Sequence, residues 1–208
     1  MGTGHWAFGA AACVFGLAAG TARATLLTNG DFEAGNTGFT TDYEYRTVSV
    51  SPYVQQYGVT TSAFVWSQFW NTVQTDHSPV GDKFFIADVG PNLGAVIWRQ
   101  TVAVPANTDM TFSAWLATWT TFPAVTLRVD VNGSQVGVWG APSGATWTQY
   151  SASWNSGAST SATISIYAAN YFQPGADVAI DDMDLVPAPG AAGLAGAALV
   201  AGLRRRRR

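Results

Sequence analysis

The chain has 208 residues, 48% of them apolar and only 11% charged, with a formal charge of −3. The basic residues crowd the ends, at Arg23 and the block Arg204–Arg208, so the stretch between carries only Arg46, Lys83, Arg99 and Arg128 against all 13 carboxylates, a formal charge of −9. Such a surface repels phosphate backbones, which excludes nucleic-acid binding, and it suits divalent cations.

Residues 7–19 are small and apolar, and Ala22-Arg23-Ala24 supplies a small-x-small pattern, which predicts a secretory signal helix cut after Ala24 by signal peptidase. No Lys or Arg precedes the apolar run. Cys13, the only cysteine, lies inside it and has a second reading as a lipoprotein cysteine after Ala10-Ala11-Ala12. With cleavage at Ala24 the mature chain has no cysteine, so no disulfide holds it in a compartment that permits one. Residues 25–186 then form a single domain of roughly 160 residues, enough to bury a core without staples.

That domain reads as β throughout. Alternating or β-branched runs recur at 43–50, 83–89, 95–104, 110–120, 124–131, 146–154, 161–169 and 177–186, separated by punctuation such as Gly90-Pro91-Asn92 and Ser156-Gly157. Asn132-Gly133 is a strong hairpin signal. No stretch shows a helical period and no strand–helix alternation appears, which disfavours dinucleotide-binding folds and helical barrels. An antiparallel jelly-roll sandwich is the natural way to bury so many short strands.

Catalysis finds little support. His77 is the only histidine after the signal segment and reads as a loop residue beside Pro79; no Gly-x-Ser-x-Gly, His-Glu-x-x-His or phosphate loop is present. Asp42, Glu44, Asp76, Asp82, Asp88 and Asp130 leave a glycosidase pair open. A small sandwich with carboxylates at its strand ends is more often a binder, and the expectation is a non-enzyme.

Eight tryptophans fall between residues 25 and 186. Exposed indoles stack on the apolar faces of sugars, while nearby Asn, Gln and Asp satisfy the hydroxyls. On the 110–120 strand, Phe112, Ala114 and Leu116 mark one face and Trp115 with Trp119 the other, which makes the two indoles candidate glycan platforms about 13 Å apart. Trp66, Trp70 and Tyr171, with Phe172, are further candidates. Trp98, Trp147 and Trp154 read as packing, since a sandwich without disulfides needs large core residues.

The chain closes on Val186-Pro187-Ala188-Pro189-Gly190, a 14-residue apolar run from Gly190 to Leu203 and five arginines, among them Arg204 and Arg205. Pro187 and Pro189 remove donors and should end the preceding strand at Val186. The run is shorter than the roughly 20 residues of a comfortable membrane span, and the arginines should stay on the cytoplasmic side. This tail, residues 187–208, resembles the PEP-CTERM sorting signal of Gram-negative bacteria, with Ala188 in place of the motif's Glu. The resemblance implies transient anchoring in the inner membrane by a C-terminal sorting helix, processing by an exosortase, and delivery to the cell surface or extracellular matrix. An ordinary tail anchor is the alternative.

Leu27-Thr28-Asn29-Gly30-Asp31-Phe32-Glu33, Val96-Ile97-Trp98-Arg99-Gln100-Thr101-Val102, Thr111-Phe112-Ser113-Ala114-Trp115 and Val178-Ala179-Ile180-Asp181-Asp182-Met183 together resemble the galactose-binding-like jelly rolls that include many carbohydrate-binding modules. That resemblance implies a structural calcium where the first and last strands meet. Glu33 and Asp181 would hold it, with Asp31 in reserve and carbonyls near residues 81–83, because a hard cation takes six to eight oxygens. Alternation places Asp181 with Ala179, Met183 and Leu185, facing inward, where a carboxylate needs a partner or a metal. The alternative is that Glu33 and Asp181 accept backbone hydrogen bonds or pair with Lys83. Three functions follow as expectations: a surface protein bound to exopolysaccharide, a structural or adhesive matrix protein without a sugar ligand, and a glycan-active enzyme.

Overall fold

The computed structural model describes residues 24–70, 76–118, 125–142, 144–171 and 176–188. The expected signal and sorting helices, with Pro189, Arg204 and Arg205, lie outside the described residues, as does Trp119. Within them the chain is almost entirely β. A six-stranded sheet runs in the order β1 (Glu44–Tyr45), β2 (Gln56–Thr60), β3 (Phe84–Asp88), β10 (Asp177–Pro187), β5 (Asp109–Ala117), β8 (Thr148–Asn155). A four-stranded sheet runs β4 (Val96–Ala103), β9 (Ser161–Ala168), β6 (Thr126–Val131), β7 (Ser134–Gly140). Every pairing is antiparallel except the short β1–β2 edge. The helix α1 (Ala63–Trp66) is a single turn.

Alternation builds the space between the sheets. Phe112, Ala114 and Leu116 of β5 face Ile164 and Ile166 of β9 and Leu127 and Val129 of β6 within one buried cluster. Aromatic rings carry that cluster across the molecule: Tyr57 stacks on Phe85 at 5.4 Å, Trp98 on Phe112 at 6.4 Å, and Phe112 on Trp139 at 5.4 Å. Large ring areas supply the burial that a cysteine-free sandwich requires. Asn132 and Gly133 turn the β6–β7 hairpin with φ of 51° and 80°, the left-handed pair such a two-residue loop needs.

The structure differs from the sequence expectation in three ways. The run 43–50 is a strand only at residues 44–45, while β2 and β7 form where glycines at 58 and 137 obscure the pattern. β10 continues through Pro187, which pairs with Met110, and the Ala188 amide donates to the Asp109 carbonyl at 2.7 Å. A proline is tolerated at a strand end.

The third difference decides where a carboxylate points. β10 carries a bulge between Asp181 and Asp184, with Asp182 at φ 41°. Val178 and Ile180 face the inner core before the bulge, and Met183 and Leu185 face it afterwards. The extra residue shifts the alternation. Asp181 therefore shares the outer face with Ala179 and not the inner face with Met183 and Leu185.

That outer face of the six-stranded sheet has its own small core. Ala63, Trp66 and Trp70, from the segment 61–70, pack on Phe84, Ile86 and Ala179, with Trp147 against them. Trp66 packs close to β2 at Gly58 and donates its indole N–H to the Arg46 carbonyl at 2.9 Å. Gly58 permits this approach, since a Cβ there would sit 2.3 Å from the Trp66 indole nitrogen.

Candidate functional site

The described stretches 61–70 and 76–78 cover part of the outer face, the second of them reaching Trp115 through His77. The indole of Trp115 points outward from β5, half-buried, with Asp181 beside it on β10 and Gln149 on β8. The imidazole of His77 stacks on it at 3.8 Å with 21° between the planes, and Trp147 meets that imidazole edge-on at 6.0 Å. His77 Nδ1 lies 2.7 Å from Asp182 Oδ2, and the Ser78 hydroxyl donates to Asp182 Oδ1 at 2.7 Å. His77 is therefore a part of the site that sequence reasoning treated as plain loop. Its pairing partner lies 105 residues away in sequence.

Beyond Trp115 the face is open. A groove of about 470 Å³ runs along it, floored by Ser113, Gln149 and Asp184 and walled by Asn29, Asp31 and Asp182. Ser113 and Asp184 are register partners on β5 and β10. The turn carrying Asn29 and Asp31 is held rigidly: the Asn29 side chain donates to the Gly35 and Thr37 carbonyls, and the Met183 amide donates to the Gly30 carbonyl at 2.9 Å.

Asp181 is fully buried under the covering segment. It accepts the His77 amide at 2.9 Å and the Asp182 amide at 2.8 Å. Burial, and next the neighbouring Asp76 carboxyl, push its pKa up to about 9 against those two amides. Oδ2 of that neighbouring Asp76 is buried without a hydrogen-bond partner. A second acid pair, Asp88 and Asp177, sits at the other end of the covering segment as register partners on β3 and β10. Burial first, then the charge of Asp88, push Asp177 up to about 8, while the Trp70 indole bonds to it. Asp88 is raised by burial, opposed by hydrogen bonds from the Ser49 hydroxyl and from Asp177.

Glu33 grips the next stretch of the same loop. Its Oε1 accepts the Asp82 and Lys83 amides at 3.0 and 2.8 Å, and its carboxyl presses on Gly81, where a Cβ would sit 2.1 Å away. Lys83 Nζ donates to the Glu33 carbonyl at 3.1 Å. Asp31 is exposed. Carboxylates and nearby carbonyls are donors of the kind calcium takes. Both principal carboxylates already hold amides of the 77–83 loop, and among the described residues no three His, Cys, Asp or Glu side chains gather to hold a metal ion.

Of the aromatic candidates among the described residues, Trp115 is the one whose partly exposed indole lies on the uncovered part of the outer face. Trp66 and Trp70 are 0% and 4% exposed and belong to the small outer core, so neither offers a stacking face. Tyr171 packs against the main core, partly buried. Trp98 is buried as expected, and Trp147 and Trp154 are partly buried packing residues.

Comparison with solved structures places this architecture. A family 61 carbohydrate-binding module, solved with β-1,4-galactotriose, aligns over 79% of this chain and 99% of its own at a TM-score of 0.50 and 14% identity. The CBM22-1 xylan-binding domain of Xyn10C from Paenibacillus barcinonensis aligns over 77% and 93%, with a TM-score of 0.50 and 13% identity. The chain shares its fold with these two modules. The enzymatically active domain of tailspike protein 4 from bacteriophage CBA120 also aligns at 0.50 and 15% identity, over 78% of this chain but only 21% of its own. No protein-family model matches the sequence, and neither does any curated protein.

Proposed function

We propose that this chain is an exported, non-catalytic surface or matrix protein whose sandwich binds extracellular polysaccharide along the outer face of its six-stranded sheet. One observation carries the reading: on a fold shared with carbohydrate-binding modules, the partly exposed Trp115 is the register partner of Gln149, which lines an open polar groove. An indole offers a stacking plane to a sugar ring, and Ser113, Gln149 and Asp184 offer partners to its hydroxyls. Export rests on the Ala24 cleavage pattern and the Pro187–Arg208 tail, and a structural calcium at Glu33 and Asp181 belongs to the same proposal.

The test is affinity electrophoresis and calorimetry on a panel of soluble polysaccharides, with Trp115→Ala alongside the parent. Binding by the parent that drops about tenfold or more in the variant is expected, since losing a stacked ring costs more than 1.4 kcal/mol at a good site. Binding unchanged by the variant moves the site elsewhere. Intact-mass analysis from the native host should show neither Met1 nor the arginine block.

A second reading has its own support. Trp66 and Trp70 are spent on packing, and His77 already covers one face of Trp115. A structural or adhesive matrix protein without a sugar ligand fits those facts, and a parent protein that binds no polysaccharide on the panel establishes it.

A further inference from the structure

The groove beside Trp115 has a charge pattern that names a class of ligand. Asp31, Asp182 and Asp184 line it, and among the described residues no lysine or arginine does. The four basic residues of the domain are engaged elsewhere: Arg46 with Glu44, Lys83 with Glu33 and Asp82, Arg128 with Asp130, and Arg99 with Ser165 and Tyr167. Asp182 is held by His77 and Ser78, whereas Asp31 and Asp184 have no basic partner among the described residues. Asp184 Oδ1 is buried and accepts no hydrogen bond, although its residue forms part of the groove floor. Asp184 as a whole is only half-buried, and a half-buried carboxylate short of donors gains from a groove ligand that donates to its accessible side.

The carboxylates are also spread out. They do not gather to hold one metal ion among the described residues. Negative charge distributed along an open groove matches positive charge repeated along a chain, and an ammonium group offers three donors for charge-assisted bonds. Uronate and sulfate groups would meet like charge.

We propose, resting on the glycan reading above, that this groove selects polysaccharides carrying free amino groups, with Asp184 and Asp31 receiving the ammonium groups and Trp115 stacking a neighbouring ring. Neutral glycans keep the stacking and lose the charge-assisted bonds; acidic glycans are repelled.

The experiment measures the full chain by calorimetry against four oligosaccharides of equal length, at mildly acidic pH where free amines are charged and ordinary carboxylates are ionised. They are a fully deacetylated chitosan oligomer, its N-acetylated chitin counterpart, a cello-oligomer, and an oligoguluronate with and without calcium. The chitosan oligomer should bind about tenfold or more tighter than chitin, the difference a charge-assisted bond makes. Added salt should shrink that gap. The exposed Asp31→Asn should remove most of it while leaving cello-oligomer binding unchanged, and Asp184→Asn should weaken chitosan binding more than cello-oligomer binding. Equal affinity for chitosan, chitin and the cello-oligomer overturns the charge selection and leaves the sugar site standing. Tighter binding of guluronate with calcium overturns it in favour of a metal-bridged acidic glycan, and oligolysine binding as tightly as chitosan replaces the glycan with a basic peptide. No binding of any oligosaccharide removes both the selection and the reading beneath it.

Discussion

The outer face of the six-stranded sheet has two halves that share β10. On one, Phe84, Ile86 and Ala179 are roofed by Trp66 and Trp70. On the other, Ser113, Asp184 and Gln149 are left open. The boundary runs through single strands: on β10 the bulge at Asp182 divides Ala179 and Asp181 from Asp184, and on β5 Trp115 marks the step. The bulge sets the boundary on β10, and side-chain chemistry decides which half is covered. Apolar residues recruit a cover, whereas serine, glutamine and aspartate need none. A tryptophan under the roof is therefore structural, and one at its edge is available.

Truncation separates the halves most widely. Trp66→Ala empties a fully buried indole site from the covered half and should cost roughly 3–5 kcal/mol, read as a lower denaturant midpoint. Ser113→Ala on the open half should stay within about 0.5 kcal/mol. Similar losses at both positions would mean that the open half is covered in solution.

Titration comes next, because both acid pairs clamp the covered half. Asp177 and Asp181 ionise near 8 and 9 in the folded protein against an ordinary 3.8, so the folded state keeps protons that the unfolded chain releases. Their contribution is complete below about pH 3.8 and is lost as the pH rises through about 8 and 9, by as much as about 1.4 kcal/mol per pH unit for each retained proton. Denaturant midpoints should fall from mildly acidic to alkaline pH, and Asp177→Asn with Asp181→Asn, which mimic the neutral acids, should flatten that fall. A profile that rises with pH would contradict the shared protons. Calcium at Glu33 and Asp181 acts the other way, since it requires ionised Asp181: at alkaline pH it should raise Tm and a chelator should reverse the rise. No response to either removes calcium from the proposal.

How much of this was legible in the sequence depends on range. The inner face of β5 follows from alternation at Phe112, Ala114 and Leu116, and the β6–β7 turn from Asn132-Gly133, because both signals are local. The roof was not legible. Trp66 and Trp70 sit in a segment with no strand period, and only the distant Phe84, Ile86 and Ala179 make it a core. Asp181 read correctly as buried but on the wrong face, because a bulge inserts a residue that alternation cannot foresee. His77 had no signal beyond its singularity, since Trp115 and Asp182 reach it through the fold. β7 was missed for a related reason: as an edge strand with one buried residue, Trp139, it needs no alternating pattern.

The smallest expected effect lies on the boundary itself, between His77 and Trp115. Two rings stacked at 3.8 Å with half-exposed surroundings should be coupled by about 0.5–1.5 kcal/mol, measurable by a double-mutant cycle of His77→Ala, Trp115→Ala and the pair. The sign of the sugar effect then separates two roles for His77. If the imidazole fixes the indole plane that a sugar stacks on, His77→Ala weakens glycan binding while costing little stability. If it occupies the face that a sugar needs, the same change strengthens binding at an equal cost in stability. His77→Gln discriminates further: it retains a polar contact toward Asp182 but no ring. Recovery of parental affinity by His77→Gln would assign the role to the Asp182 contact, and failure to recover it would assign it to the stacked ring.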